Sequence, residues 1–131
     1  MKELLDKFVG LERLLSQEKG EFSVFALFLR EDAADKWDLI VAANWIDGDR
    51  KEALAHITDK IQQLFDPAEL LNLSRVVCVG EANPSVVALN RAVNINHGQM
   101  EVRDSNFFGM QIKHGYIITS QRLNADAQVP A

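Results

Sequence analysis

The chain has 131 residues, of which 47% are hydrophobic and 25% charged, and its formal net charge is −5. This size and composition are typical of one soluble globular domain that buries a core without disulfides or metals. The negative charge disfavours nucleic-acid binding, because affinity for phosphates comes mainly from lysine and arginine.

The single cysteine, Cys78, cannot form an internal disulfide, which favours a reducing, cytoplasmic location. Charged residues interrupt every apolar stretch well before the ~20 residues of a membrane-spanning helix, so no membrane partner is expected.

The first third of the chain predicts one helix and two strands. Apolar residues recur at helical spacing over residues 2–17, which predicts an amphipathic helix docked on the sheet, with Glu12 among the charged residues that face water. Phe22–Leu29 is apolar at nearly every position, as expected of a strand with both faces covered. A polar loop leads to a second strand, Trp37–Ile46, in which Asn44 needs hydrogen-bond partners.

The middle of the chain predicts a βαβ unit. Asp47–Gly48–Asp49 ends the second strand, and either aspartate can cap the following helix. Arg75–Val79 is a β-branched run that predicts an interior strand. A strand, a crossover helix and a further strand usually give parallel pairing with a right-handed connection. The helix between the strands is predicted to bury a stripe made of Ala53, Leu54, Ile57, Ile61, Leu64 and Phe65.

The last third predicts a helix and two strands. Asn83 as N-cap and Pro84 at the first helical position mark the start of a helix that ends near residue 94. Met100–Arg103 alternates apolar and charged residues, which is typical of an edge strand. After a loop at Ser105–Gly109, the final strand is Met110–Ser120, with a bulge predicted at Gly115.

The predicted order of elements is therefore α-β-β-α-β-α-β-β. We expect a single α/β domain, on the border of α+β, over residues 1–122. It is built on one mixed sheet of about five strands, with helices packed on the sheet and the right-handed βαβ unit at its centre. Residues 123–131 have too little apolar content to pack and are expected to form a loose tail.

Acidic residues follow the strands that could run parallel. If strands 37–46, 75–79 and 100–103 are parallel, the loops after them share one rim of the sheet. Carboxylates are the ligands that Mg²⁺ prefers, and such an ion could support phosphoester hydrolysis. Helix caps and solvated loops explain the same residues without an ion, so no resident cofactor is expected. The candidate metal ligands are Asp47, Asp49, Glu81 and Asp104.

Polar residues in the same loops are candidate ligand-binding groups, namely Asn83, Ser85, Ser105 and Asn106. The helix that starts at Asn83 presents free backbone N–H groups, as any helix N-terminus does. Its sequence GEANPS matches neither the Walker A nor the GxGxxG pattern, and Glu81 beside it repels phosphate. Nucleotide binding is therefore disfavoured.

The remaining candidate chemistry is weak. The triplets Glu101-Val-Arg103 and Gln111-Ile-Lys113 depart from the acid-x-lysine pattern of metal-dependent nucleases. The alternation of charged and apolar side chains along an edge strand explains these residues more simply. The three histidines lack ligand spacing, and His97 falls in a predicted turn. No nucleophile elbow is present.

Trp45, Phe107 and Phe108 lie near chain turns and are the predicted interface residues, because aromatic side chains are enriched at interfaces. Strand 100–103 or the final strand could pair across a two-fold axis. We therefore expect a small cytoplasmic binding or accessory domain without catalysis of its own, acting as a homo-oligomer or with a protein partner. The alternative is a small hydrolase or nuclease that uses Mg²⁺ on the acidic rim.

Overall fold

A computed structural model describes residues 2–32 and 36–122 of the chain. These residues form one mixed five-stranded sheet and five helices, which confirms the predicted fold class and the order of the main elements. The predicted tail, residues 123–131, lies outside the described residues. The elements are α1 (Lys2–Lys19), β1 (Phe22–Arg30), β2 (Trp37–Ala43), α2 (Asn44–Gly48), α3 (Arg50–Leu64), α4 (Pro67–Leu70), β3 (Leu73–Cys78), α5 (Pro84–Ala92), β4 (Met100–Phe107) and β5 (Met110–Ser120).

The strand order across the sheet is β3-β2-β1-β5-β4. Strand β1 pairs antiparallel with β2 and β5, β4 pairs antiparallel with β5, and β2 and β3 are parallel as predicted. The prediction that the run Arg75–Val79 is an interior strand is wrong, because β3 lies at one edge. Branched side chains suit any half-covered strand, so they do not by themselves place it inside the sheet. The prediction of an edge strand at Met100–Arg103 is confirmed.

The core has two layers, one on each face of the sheet. Helices α1 and α3 cover the first face, where Phe22, Phe25 and Leu27 of β1 are fully buried. Helix α5 covers the second face, where Phe28 of the same strand is fully buried. The prediction that β1 is covered on both faces is therefore confirmed.

The helices differ from prediction in which side chains they bury. Helix α1 docks through Leu5, Phe8, Leu11 and Leu15, as its apolar spacing predicts. Leu54 and Leu64 of α3 are 37% and 45% exposed, against prediction. Helix α3 meets the core only along the line of Ala53, Ile57 and Ile61, so leucines beside that line stay partly in water. Within residues 2–32 and 36–122, no helix has the length and apolar character needed to cross a membrane.

Strand β2 ends three residues earlier than predicted. Asn44 begins the short helix α2 and is exposed, so it is not a polar group inside a strand. The turn places Ile46 in the first core layer and lets Trp45 Nε1 donate to the Gly20 carbonyl at 2.9 Å. The burial of Ile46 and the hydrogen bond of the indole N–H favour this helical turn over three more strand residues.

Strands β4 and β5 form a tight hairpin in place of the predicted loop at 105–109. Phe108 and Gly109 form the two-residue turn, with φ of 56° and 74°, as a type I′ turn requires. Gly115 pairs regularly with Phe28 and Val102, so the bulge predicted there is wrong. A Cβ on Gly115 would lie 2.7 Å from Phe28 Cδ1. The glycine is therefore explained by the close approach of the Phe28 ring.

Candidate functional site

The end of the sheet where β2 and β3 finish is here called the lower end, and it holds part of the predicted acidic rim. The Glu81 backbone N–H donates to Asp47 Oδ2 at 3.2 Å, so these two loops meet as the parallel pairing predicts. Strand β4 lies at the other edge and runs opposite to β2, because three successive antiparallel pairings separate them. The expectation that Asp104 follows a parallel strand on the same rim is therefore wrong.

The aspartates of this rim have structural partners. Asp49 caps α3 by accepting from the Glu52 backbone N–H at 3.2 Å, which confirms its predicted role as a cap. Asp47 tethers the loop after β3. Burial raises the pKa of the Glu81 carboxyl and the nearby Asp47 charge adds to the rise, while a hydrogen bond from Ser23 opposes it. Relative to the unfolded chain, the fold therefore shifts Glu81 toward its protonated form.

Replacing Glu81 with glutamine should leave the melting temperature at pH 8 unchanged or higher. Since the folded pKa of Glu81 is raised, its contribution to stability is present below the unfolded value of about 4.3 and is lost as the pH rises through the folded value. The advantage of Glu81→Gln should therefore disappear near pH 4. Thermal melts at both pH values, with Glu3→Gln as an exposed control, measure it. A lower melting temperature for Glu81→Gln at pH 8 would contradict the sign.

The candidate ligand-binding residues lie on α5 and β4. Asn83 caps α5 by accepting from the Ser85 backbone N–H at 2.8 Å, as predicted for an N-cap. Ser105 Oγ donates to the Arg103 carbonyl of its own strand at 2.9 Å. Ser85 and Asn106 come together in one groove between α5 and the hairpin. Two of the four residues thus share a surface.

Phe107 and Phe108 line the same groove, which has a volume of about 260 Å³ and is completed by Ala88, Leu89 and Ala92. Phe107 stacks on Phe28 with ring centroids 5.1 Å apart, and Phe108 lies 6.3 Å from the same ring. Trp45 lies against the first core layer, on the other face of the sheet. The three predicted interface aromatics therefore belong to two different surfaces.

Glu12 is a buried residue that the sequence reasoning placed in water. Its side chain is fully buried under α1, where Oε2 accepts from Ser16 Oγ at 3.2 Å and from Thr119 Oγ1 at 2.8 Å. Its Oε1 contacts Nδ1 of His97. The spacing of Glu12 from Phe8, four residues earlier on the same helix, places it on the buried face and was the signal available in the sequence.

His97 is held by the end of β5. Its backbone N–H donates to Thr119 Oγ1 at 3.1 Å, and the next N–H, of Gly98, donates to the Ile118 carbonyl at 2.9 Å. Its φ of 56° lies in the left-handed region, which is uncommon for a residue with a side chain. The predicted turn at 96–98 therefore also aims an imidazole at a buried carboxylate.

A second buried carboxylate, Asp38, lies at the upper end of the sheet. Arg30 Nε donates to Asp38 Oδ2 at 2.8 Å, and Arg75 Nη2 reaches the same oxygen at 3.3 Å. Arg75 Nε is 3.3 Å from Oδ1, but Oδ1 accepts no hydrogen bond from the described residues. Two arginines thus neutralise one carboxylate whose side chain is 1% exposed.

Among the described residues, no strand pairs with the outer edge of β3, and this edge lies beside half-exposed apolar residues. None of its six residues is buried, and Arg75 is its only charge. The Val79 backbone N–H donates to the Val41 carbonyl of β2 at 2.9 Å. Since backbone groups alternate in direction along a regular strand, those of Val76 and Cys78 point away from β2, beyond the register shift that separates Leu73 from Arg75.

No protein-family model matches the chain, and no curated protein or solved structure is significantly similar to it.

Proposed function

We propose that this chain is a small binding domain that acts by self-association, in which the β3 edges of two copies pair antiparallel about a two-fold axis. The carrying observation is the open β3 edge, whose N–H and C=O groups at alternate residues point outward beside half-exposed valines. Such an edge is a template for adding another strand. A two-fold axis lets the same strand of a second copy satisfy it.

The opposite edge of the sheet has features that prevent such pairing. Strand β4 carries Glu101, Arg103 and Asp104, all of them exposed, within eight residues. Asp104 also has a φ of 49°, which interrupts the regular extended backbone. Charges and irregular backbone are how natural sheets protect an edge from association. The contrast between the two edges favours β3 over the strand at 100–103 that the sequence suggested.

Exposed apolar side chains accumulate in the segment that leads into β3. Leu54 and Leu64 of α3 are partly exposed, and Leu71, two residues before β3, is 69% exposed. Large apolar groups in water favour a contact that covers them. The binding hypothesis is thus supported by two features, the open β3 edge and the exposed leucines. The hydrolase alternative is supported only by the contact between Asp47 and the Glu81 loop.

The Val76→Pro variant should convert a dimer of this 14.7 kDa chain into a monomer. Proline removes an outward N–H that makes no bond within the sheet and is tolerated at such edge positions, so the fold should persist. Light scattering coupled to size-exclusion chromatography measures the mass, and far-ultraviolet circular dichroism checks the fold.

Val102→Pro is the matched control on the other edge. Val102 is also half-buried. Phe107 and Met110 flank the two-residue turn as a hydrogen-bonded pair, and hydrogen-bonded and non-hydrogen-bonded pairs alternate along the strand from there. Val102 belongs to a non-hydrogen-bonded pair, so its N–H points outward. This variant should remain dimeric. A wild-type chain that is monomeric at high concentration, or a monomeric Val102→Pro beside a dimeric Val76→Pro, would show the proposal to be wrong.

A further inference from the structure

We infer that His97 Nε2 and the Glu21 carboxylate bind a divalent transition-metal ion at the lower end of the sheet, and that buried Glu12 orients the imidazole. Glu12, Glu21 and His97 each offer one donor atom, and these atoms lie within 4.8 Å of one another. Among the described residues this is the only such group of three. The inference is independent of self-association through β3.

The backbone at His97 is fixed before any ion binds. Ile95 and Ser120 form a bridge with two hydrogen bonds of 3.0 and 2.8 Å, which anchors the turn to β5. A Cβ on Gly98 would lie 2.7 Å from Ile95 Cδ1, so the chain passes closely over the isoleucine. Uncommon backbone conformations that the surrounding structure enforces cluster at functional sites. The position of the imidazole is thus preorganised.

The buried carboxylate sets the tautomer of His97. Glu12 Oε2 is occupied by two hydroxyl donors, and Oε1 contacts Nδ1 of the ring. A carboxylate oxygen accepts hydrogen bonds, so this contact suits the tautomer with the hydrogen on Nδ1, in which Nε2 carries the lone pair that a metal ion binds. A histidine that donates one N–H to a carboxylate while its other nitrogen binds metal is a recurring arrangement in metal sites.

The second ligand is Glu21, in the short connection between α1 and β1. Its Oε1 lies 3.6 Å from His97 Nε2, which is too long for a hydrogen bond. Two ligands that are each about 2.1 Å from one ion lie roughly 3.0–3.6 Å apart at coordination angles of about 90–120°. The observed separation therefore fits a shared ion, with water in the remaining positions.

The donor set and its exposure indicate the kind of ion. The His97 side chain is 25% exposed and that of Glu21 is 49% exposed, so an ion can enter from solvent. Imidazole suits Zn²⁺ and its first-row neighbours, whereas Mg²⁺ prefers oxygen ligands alone. The site therefore differs in its residues and its chemistry from the predicted magnesium rim, which lies at the same end of the sheet.

The other two histidines are natural controls. His56 Nε2 lies 3.1 Å from Glu18 Oε1, and His114 Nε2 lies 2.6 Å from Glu101 Oε2. In both pairs the carboxylate contacts the ring directly, and no second carboxylate completes a group of three among the described residues. All three histidines thus contact a glutamate, but His97 alone is flanked by a buried and an exposed one.

Titration of the protein with Co²⁺, followed by its visible absorption, tests the inference. His97→Asn should lower the affinity at least a hundredfold, and asparagine tolerates the left-handed backbone at this position. Glu12→Gln should lower it about 10- to 100-fold through the lost orientation of the ring. His56→Asn and His114→Asn should leave it within about twofold of the wild-type value.

Glu21→Gln, at an exposed position that does not threaten folding, should lower the affinity about tenfold or more. The site is overturned if the wild-type protein develops no Co²⁺ absorption, if His56→Asn or His114→Asn removes the absorption, or if Glu21→Gln leaves the affinity unchanged. Repeating the titration with Val76→Pro separates this site from the dimer interface, since we expect the same affinity in the monomer.

Discussion

Replacing Phe28 with alanine should lower the free energy of unfolding by about 3–5 kcal/mol, the largest effect we expect from one core residue. Phe28 is fully buried in the second core layer. Its ring stacks on Phe107 with an interplanar angle of 4° and lies over Gly115, where no side chain competes for the space. Truncation removes the transfer free energy of the ring and leaves a cavity that the central strand cannot close.

Urea denaturation measures this loss, and Phe28→Leu is the matched control. Leucine keeps most of the apolar volume and should cost about 1–2 kcal/mol. Because the hairpin turn rests on this ring, amide hydrogen exchange near Phe107 should accelerate in the alanine variant. Equal losses for alanine and leucine would mean that the stacking geometry, not the buried volume, determines the stability of this layer.

The Arg30→Met variant should lower the free energy of unfolding by about 3 kcal/mol, because it leaves the buried Asp38 charge with only the longer contacts of Arg75. Asp38 is fully buried, and Arg30 supplies its shortest hydrogen bond, at 2.8 Å. Arg75, whose side chain is 48% exposed, makes only longer contacts with the same carboxylate. Methionine keeps the apolar stem of the arginine, so the loss reports mainly on the charge.

Arg75→Met is the control and should cost about 1 kcal/mol or less, as exposed ion pairs usually do. Adding Asp38→Asn to Arg30→Met removes the poorly compensated buried charge and should restore part of the lost stability. Urea denaturation of the three variants decides the case. If Arg75→Met were the more damaging single variant, the assignment of Arg30 as the main partner would be incorrect.

The fold was predictable where local signals agree with the final contacts. Strand β1 is apolar at nearly every position and does not alternate with polar residues, which indicated a strand covered on both faces. Asn83 and Pro84 marked the start of α5, because they are typical of the first positions of a helix. The parallel pairing of β2 and β3 followed from the crossover rule. These features depend on a few adjacent residues, so a single sequence contains them.

The features that carry our proposals could not be predicted from the sequence, because they depend on residues far apart in the chain. Glu12 meets His97 and Thr119 across 85 and 107 residues, and no spacing rule connects them. The prediction that Asp104 belongs to the acidic rim was wrong, because the sequence does not show in which direction β4 runs. The position of β3 at an edge likewise follows from how five strands are ordered, and not from its own residues.

The central position of β1 has a consequence for how the chain is made. One neighbour, β2, follows it almost at once, but the other, β5, begins at Met110. At 5–20 residues per second, the ribosome needs about 4–14 seconds to synthesise the roughly 70 residues from the end of β2 to the start of β5. During that interval the nascent chain holds its most apolar strand with one side unpaired, and the Glu12 carboxylate has not yet met Thr119. The pairing of the central strand can therefore be completed only after the final hairpin has been synthesised.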